Sequence, residues 1–358
     1  MSSHHYGLIL AGGRGTRFWP RSRRCSAKQV LNVVGERSLI QATVDRLKPL
    51  IAPERIWILT NHDLRDAIVA QLPEVPRRQV LAEPVQRNTA PAIGLAAHIL
   101  YSVDRDAVMG VFPSDHVVGS PAGYRKVLRA AFRGAAAGQL MVVGIEPRWP
   151  ETGYGYVEFP RGSKAGTMEP LVVKRFCEKP ELTKAKRYVA SGNFYWNSGM
   201  FFWRTDVLLD QLRQHLPKTA TVLASLPSFG ARNFAEKLEQ AFPLCDNISI
   251  DYAVLEKAKN VSGIAAADFG WNDVGSWNAV YELMSRDGCG NVVAKEAVCL
   301  DAHNNFVDAR GKTVALLGVK DLIVVDTPDA LLVATRDRAQ QVGDVVKALE
   351  RQKREELL

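Results

Sequence analysis

The chain has 358 residues, 47% of them apolar, and carries 46 Lys+Arg against 38 Asp+Glu, a net charge of +8. This length suits one large α/β domain with an appendage, or roughly two to three smaller domains. The basic residues are spread out, without zinc-finger spacing or an RNA-binding aromatic motif, which fits an anionic small molecule and argues against nucleic acid.

No run approaches the ~20 apolar residues of a membrane span. The amino terminus lacks a basic region before a long apolar core, so neither a membrane nor a signal peptide is expected. Cys25, Cys177, Cys245, Cys289 and Cys299 are far apart and form no C-x-x-C pair. They read as reduced thiols in a cytoplasmic protein.

The first apolar run, Tyr6 to Leu10, leads into Ala11-Gly12-Gly13-Arg14-Gly15-Thr16-Arg17. Glycines let the backbone bend and approach a ligand closely. Amide N–H groups before a helix start favour an anion, and the planar guanidinium of Arg17 suits phosphate oxygens. The loop lacks the third glycine of the dinucleotide fingerprint, since Phe18 stands there, and the Gly-Lys-Ser/Thr ending of a P-loop. On this stretch alone, a tight strand-to-helix turn without chemistry stays open. The chain continues Phe18-Trp19-Pro20-Arg21-Ser22-Arg23 and reaches Lys28-Gln29. Here it resembles the signature of the sugar-1-phosphate nucleotidyltransferases, and the Phe18-Trp19-Pro20 and Lys28-Gln29 segments resemble the mannose-1-phosphate guanylyltransferase branch. One departure is Ala27, where that branch usually has proline, a change expected to loosen the lysine's loop.

Further on, Ser38 can cap a helix carrying Ile40, Val44 and Leu47. Ile56–Thr60 reads as a buried strand, Leu64, Ile68 and Leu72 mark a helix, and 79–82 is a short strand. Strands alternating with helices imply a parallel sheet covered on both faces, with ligands beyond the strands' carboxyl ends. After the third strand, Glu83 and Asn88 either face a base or ribose or, in the case of Asn88 with Thr89, only start a helix, with Thr89 as N-cap of 90–100. The strand 107–112 ends in Pro113-Ser114-Asp115-His116. A carboxylate there suits Mg2+, which prefers oxygen ligands, or it ends the strand in an Asx turn. His116 is expected to shape the loop, because Mg2+ disfavours imidazole.

A helix carrying Leu128 and Phe132 and the strand 140–145 follow. Thr152–Phe159 reads as a glycine turn feeding an alternating strand, and 171–180 as a second such strand. Gly155 would let a sugar hydroxyl approach the backbone, Glu178 could accept from sugar hydroxyls, and Lys179 could hold a sugar phosphate. A solvated Glu-Lys turn is the alternative. Asn197, before the run 198–202, faces sugar hydroxyls or satisfies its own turn. Segments from Asp206 to about Ala241 read as helical packing. Ser249–Glu256 reads as a capped helix with Asp251 as an N-terminal helix charge. After the strand 261–267, Asp273 lies in Trp271-Asn272-Asp273-Val274-Gly275-Ser276-Trp277, either a turn residue or the partner of Asp115 at a metal.

From about Asn291 short β-type runs recur, punctuated by Gly311, Gly318 and Asp326, suggesting a small β-solenoid. The charged segment 337–358 has helical spacing at Val342, Val345, Val346 and Leu349, and either packs on the solenoid or frays.

The resemblance spans about Leu8 to Gln341, with the separated motifs in family order. It implies an α/β, Rossmann-like nucleotidyltransferase domain with a mixed central sheet over 1–285, followed by a short left-handed β-helix and terminal helix over 286–358. The implied reaction joins GTP and mannose 1-phosphate to give GDP-mannose and pyrophosphate, with Mg2+ as cofactor and a homodimer as assembly. Leu10, Ala11, Gly12, Gly13, Gly15, Thr16, Arg17, Lys28, Glu83, Asn88, Ser114 and Asp115 would bind the nucleotide. Gly155, Glu178, Lys179 and Asn197 would bind the sugar phosphate. Arg17, Lys28 and Lys179 would be catalytic, and Asp115 and Asp273 would hold the metal. No general base and no catalytic histidine are expected, because a phosphate monoester is already anionic. The rivals are a related enzyme for another nucleotide or sugar, and a non-catalytic sugar-nucleotide-binding regulatory subunit. A fused isomerase is not expected, since the chain ends at Leu358, soon after the solenoid.

Overall fold

A computed structural model describes residues 4–294 and 296–358. Among these, ten strands form one sheet. Strands β1 (His5–Leu10), β2 (Ile56–Thr60), β3 (Val80–Ala82) and β4 (Val108–Pro113) pair in parallel in the order β3-β2-β1-β4. Strand β5 (Val117–Val118) stands outside this sheet. Strand β6 (Leu140–Ile145) lies on the far side of an antiparallel strand, which makes the sheet mixed.

The inner strands β2 and β6 are buried at every position. This is the mark of strands covered on both faces, and it explains why they read as unbroken apolar runs. The helix Leu39–Leu47 begins at the expected cap, where Ser38 and Gln41 form a reciprocal capping box.

The middle of the chain departs from the expected two strands. The hairpin strand β7 (Tyr156–Glu158) is followed not by one strand over 171–180 but by β8 (Leu171–Val172) and β9 (Arg175–Cys177). Strand β9 pairs with β7, whereas β8 crosses to the sheet's other edge. A single run therefore serves two neighbours, a division that local alternation does not encode. Strand β10 (Phe194–Arg204) threads antiparallel between β4 and β6 and slips register between Asn197 and Phe201. Strand β11 (Val261–Ala266) runs parallel to β6, and β12 (Trp271–Asn272) pairs with β5.

The expected N-cap Thr89 is corrected by one residue. Asn88 caps the helix Thr89–Val103, while the Thr89 hydroxyl accepts from Ile250 N at 2.9 Å. The expected helix at Ser249–Glu256 is instead a single wide turn, Asp251–Leu255, with i→i+5 geometry.

The C-terminal part stacks β13 (Val298–Leu300) on β15 (Ala315–Leu317) and β14 (Phe306–Asp308) on β16 (Leu322–Asp326), both in parallel; β17 (Leu331–Thr335) returns antiparallel to β16. Buried Asn291 and Asn305 form a ladder across the coils, with Asn291 Oδ1 accepting from Asn305 Nδ2 at 3.0 Å and Asn305 Nδ2 also donating to Val319 O at 3.1 Å. This satisfies main-chain groups that a coil's interior would otherwise leave unpaired.

The last helix, Val342–Arg351, neither frays nor packs on the coils alone. It lies on the glycine-rich loop, where Phe18 and Trp19 share one apolar cluster with Val342, Val346 and Leu358. No helix of the described residues is long and apolar enough to cross a membrane.

Candidate active site

The glycine-rich loop leaves β1 at its carboxyl end, and its carbonyl oxygens are held by side chains. Gln29 Nε2 donates to Ala11 O at 2.7 Å and to Gly13 O at 3.0 Å, and Gln86 Nε2 donates to Gly12 O at 2.6 Å. These bonds fix the course of the loop's backbone. Gly15 sits at φ 62°, and a Cβ there would come within 2.6 Å of Lys28 Cβ. Glycine is therefore required twice, by conformation and by the close approach of the Lys28 segment.

Lys28 is only 6% exposed. Its Nζ lies 2.8 Å from Asp115 Oδ2 and donates to the main-chain oxygen of Asp273 at 2.8 Å. Residues from the ends of two distant strands, β4 and β12, thus meet around one cation. Burial works to raise the Asp115 carboxyl, but the Lys28 ammonium beside it carries the balance below the ordinary carboxylate value.

The turn at Asp273 is made by its neighbour. Asn272 Oδ1 accepts from Val274 N at 2.7 Å, and the Asp273 carboxylate is left to accept from the Tyr154 hydroxyl at 2.7 Å. Val274, a β-branched residue, sits at φ 47°. Such left-handed backbone costs on the order of 1–3 kcal/mol and collects at functional sites. The imidazole of His116 accepts at Nδ1 from Trp271 Nε1 at 3.1 Å, and burial lowers its pKa to about 4. It is a neutral ring committed to its loop.

A second cluster lies on the same β10 wall. Asn197 N donates to Gly155 O at 2.7 Å, and a Cβ on Gly155 would run into the Glu178 carboxylate. Glu178 pairs with Lys179 at 3.0 Å, the glutamate 12% exposed and the lysine 63%. The hydrogen bond from Lys179 to Glu178 raises the lysine's pKa despite some desolvation. Asn197 serves both readings of its role. Its Oδ1 accepts from Gly199 N at 3.2 Å within the turn, while its Nδ2 donates to Asp251 Oδ1 at 3.2 Å.

Asp251 is a residue that sequence reasoning missed. It stands in the first turn of 251–255, as expected of a helix charge, and it also aims into this cluster. Burial, helped by the Glu178 charge, pushes its pKa up to about 6. An acidic residue opening an apolar run carries no local sign of a partner 54 positions away.

Two clefts flank the loop. One of about 840 Å³ is lined by Arg17, Trp149, Tyr154, Trp271, Asp273 and Gln340. The other, of about 370 Å³, is lined by Arg14, Arg24, Asn61, Glu83 and Gln86. Desolvation raises the Glu83 pKa to about 7. Asn88 does not line that cleft; its Oδ1 accepts from Thr89 N at 2.9 Å. Ser114 is buried, with its N donating to Leu10 O at 3.2 Å, so it fixes the strand end that carries Asp115.

The loop's arginines also meet the C-terminal segment. Arg17 Nη1 donates to Gln340 Oε1 at 2.6 Å, Arg14 pairs with Glu350 at 2.8 Å, and Arg24 pairs with Glu355 at 2.5 Å.

Comparison with known proteins places this geometry in a family. Residues 6–288 match the nucleotidyl transferase family, and residues 295–349 match the mannoseP isomerase/GMP-like beta-helix domain. The xanthan biosynthesis protein XanB of Xanthomonas campestris is 39% identical over 96% of this chain and 72% of its own length. A mannose-1-phosphate guanylyltransferase of Escherichia coli is 36% identical over 98% of this chain and 74% of its own. A crystal structure from Thermus thermophilus, described as a mannose-1-phosphate geranyltransferase, superposes with a TM-score of 0.86 at 34% identity, covering 97% of this chain and 99% of that one. The chain belongs to the nucleotidyltransferase family, in the group of the mannose-1-phosphate guanylyltransferases.

Proposed function

We propose that the chain joins GTP and mannose 1-phosphate into GDP-mannose with release of pyrophosphate. The observation that carries this reading is the meeting of Lys28, Asp115 and Asp273 beside the glycine-rich loop, with Gly155, Glu178, Lys179 and Asn197 along the adjoining wall. Asp115 and Asp273 fit a divalent cation of the Mg2+ type. Both offer hard oxygen donors, the neighbouring imidazole is committed to an indole, and an ammonium already stands between the Asp115 carboxylate and the Asp273 main-chain oxygen. When bound, such a cation supplies positive charge to phosphate oxygens at the reacting phosphorus.

The chain's own residues have the remaining work. The loop amides of Gly12–Thr16 and Arg17 hold the triphosphate. Lys28 adds charge beside the Asp115 carboxylate and the Asp273 main-chain oxygen. Lys179 orients the sugar phosphate, one oxygen of which attacks the α-phosphorus in line while pyrophosphate departs. Glu178 and Asn197 accept and donate hydrogen bonds to sugar hydroxyls, and Gly155 gives them backbone access. Nucleotidyl transfer asks for alignment and charge neutralisation rather than covalent help, and the attacking monoester is already anionic, so no side chain need remove a proton. Glu83 suits a guanine edge, whose adjacent N–H groups can both donate to one carboxylate.

We assign the reaction to residues 1–285 and a supporting role to 286–358, in a cytoplasmic homodimer. The exposed row Val298, Leu300 and Leu317 on neighbouring coils supports the latter. A pyrophosphate-release assay pairing GTP, ATP, UTP and dTTP with mannose 1-phosphate and glucose 1-phosphate tests the reading. Release confined to, or at least about tenfold faster with, GTP and mannose 1-phosphate is expected. Binding without release in Mg2+ would indicate a non-catalytic sensor.

A further inference from the structure

Tyr154 opens the sugar-side wall, immediately before Gly155, yet its side chain belongs to the other cluster. Its hydroxyl donates to Asp273 Oδ1 at 2.7 Å. Its ring is held edge-on by two indoles, Trp196 at 5.3 Å and Trp271 at 5.4 Å. Each indole is itself fixed. Trp196 Nε1 donates to the Tyr156 hydroxyl at 3.1 Å, and Trp271 Nε1 donates to His116 Nδ1 at 3.1 Å, beside Asp115. Trp149 closes on the outer face of Trp196 at 4.7 Å. One aromatic bracket therefore ties together the Asp115 loop, the Asp273 loop and the strand that carries Asn197.

A carboxylate on a rotatable bond has two equivalent oxygens and no intrinsic preference between them. A donor fixed on one oxygen selects the rotamer and leaves the other free.

We propose that Tyr154 is a positioning residue whose hydroxyl fixes the Asp273 carboxylate so that its second oxygen faces the divalent cation, and that this links the sugar wall to the metal-binding carboxylates. The inference rests on the reading of Asp115 and Asp273 as the metal pair. Partners of this kind, touching the ligand rather than the metal, typically govern about 10–100-fold in metal affinity or activity.

The test uses Mn2+ alone, without nucleotide, counted by the free-ion electron paramagnetic resonance signal lost on adding protein. Tyr154→Phe keeps the ring and the bracket and removes only the donor. It is expected to weaken Mn2+ binding about tenfold and to lower kcat in parallel, with KM for GTP within about twofold of the native value. Trp196→Phe, which loosens the bracket but keeps the hydroxyl, is expected to leave Mn2+ affinity within about twofold, separating orientation from general loosening. Native Mn2+ affinity in Tyr154→Phe overturns the proposal, as does an equal loss in both variants. Native Mn2+ affinity in Asp273→Asn removes the metal pair itself, and the role of Tyr154 falls with it.

Discussion

Arg14 of the glycine-rich loop and Glu350 of the last helix are 336 positions apart and form an ion pair of 2.8 Å. A carboxylate thus occupies a guanidinium of the loop proposed to hold the triphosphate. Both side chains are substantially exposed, at 42% and 36%. Such pairs contribute on the order of 0.2–1 kcal/mol, so Glu350 should be displaced easily by a triphosphate. Glu350→Gln is expected to lower KM for GTP by about two- to fivefold, with kcat unchanged, in steady-state pyrophosphate release. A raised KM would mean that Glu350 holds Arg14 in its productive place.

Lys28 is buried among the oxygens of Asp115 and Asp273. Lys28→Ala removes a preorganised charge from the proposed reacting region, and losing one such group typically costs roughly 10²–10³ in kcat. Single-turnover measurement at saturating GTP checks this. A change below about threefold would place Lys28 outside the reaction.

Glu83 has a folded-state pKa raised to about 7 by desolvation, above its ordinary 4.5. A carboxyl raised on folding contributes stability that is fully present below the unfolded value and is lost as pH rises through the folded one. Glu83→Gln removes that dependence. The melting temperature of the variant relative to the native protein should therefore rise between pH 4.5 and pH 7, by a few degrees at roughly 1–1.5 °C per kcal/mol, given an unfolding entropy of about 2.1 cal/mol/K per residue. A difference that is flat across this window contradicts the assigned burial cost.

Ala27, where the resemblance leads one to expect proline, is fully buried with φ −72°. That angle lies within proline's fixed range. The Lys28 segment is thus already shaped as proline would shape it, with Val30 N donating to Ala27 O at 3.0 Å. Ala27→Pro should be tolerated and should stabilise by about 0.4–1 kcal/mol through the unfolded chain, read as a higher midpoint in denaturant. A loss of stability would show that the surrounding core has closed over the alanine.

What sequence revealed and what it withheld follow from the range of each interaction. The buried strands β1, β2 and β6 announce themselves as apolar runs, because both of their faces are covered and no alternation is needed. The Ser38 cap is local chemistry and was equally legible. The residues that converge on Lys28 were accessible through motif likeness, although Asp273 follows β12, which pairs with β5 outside the main sheet.

Tyr154 and Asp251 were not legible, because each is defined by a partner on a distant strand. The last helix shows an apolar stripe at Val342, Val345, Val346 and Leu349, but a stripe does not name what covers it. Here the cover is Phe18 and Trp19, at the other end of the chain. The division of 171–180 into two strands depends on which neighbours lie on either side, which alternation alone does not contain.

The most direct test of the account is the kcat of Asp273→Asn in Mg2+, measured as pyrophosphate release from GTP and mannose 1-phosphate, beside GTP binding by the same variant. Turnover should fall by at least about two orders of magnitude, in the range of about 10²–10³ or more for a lost charge-stabilising group, while GTP binding weakens far less. Native turnover in that variant would contradict the central claim that two carboxylates from distant strands grip the catalytic cation.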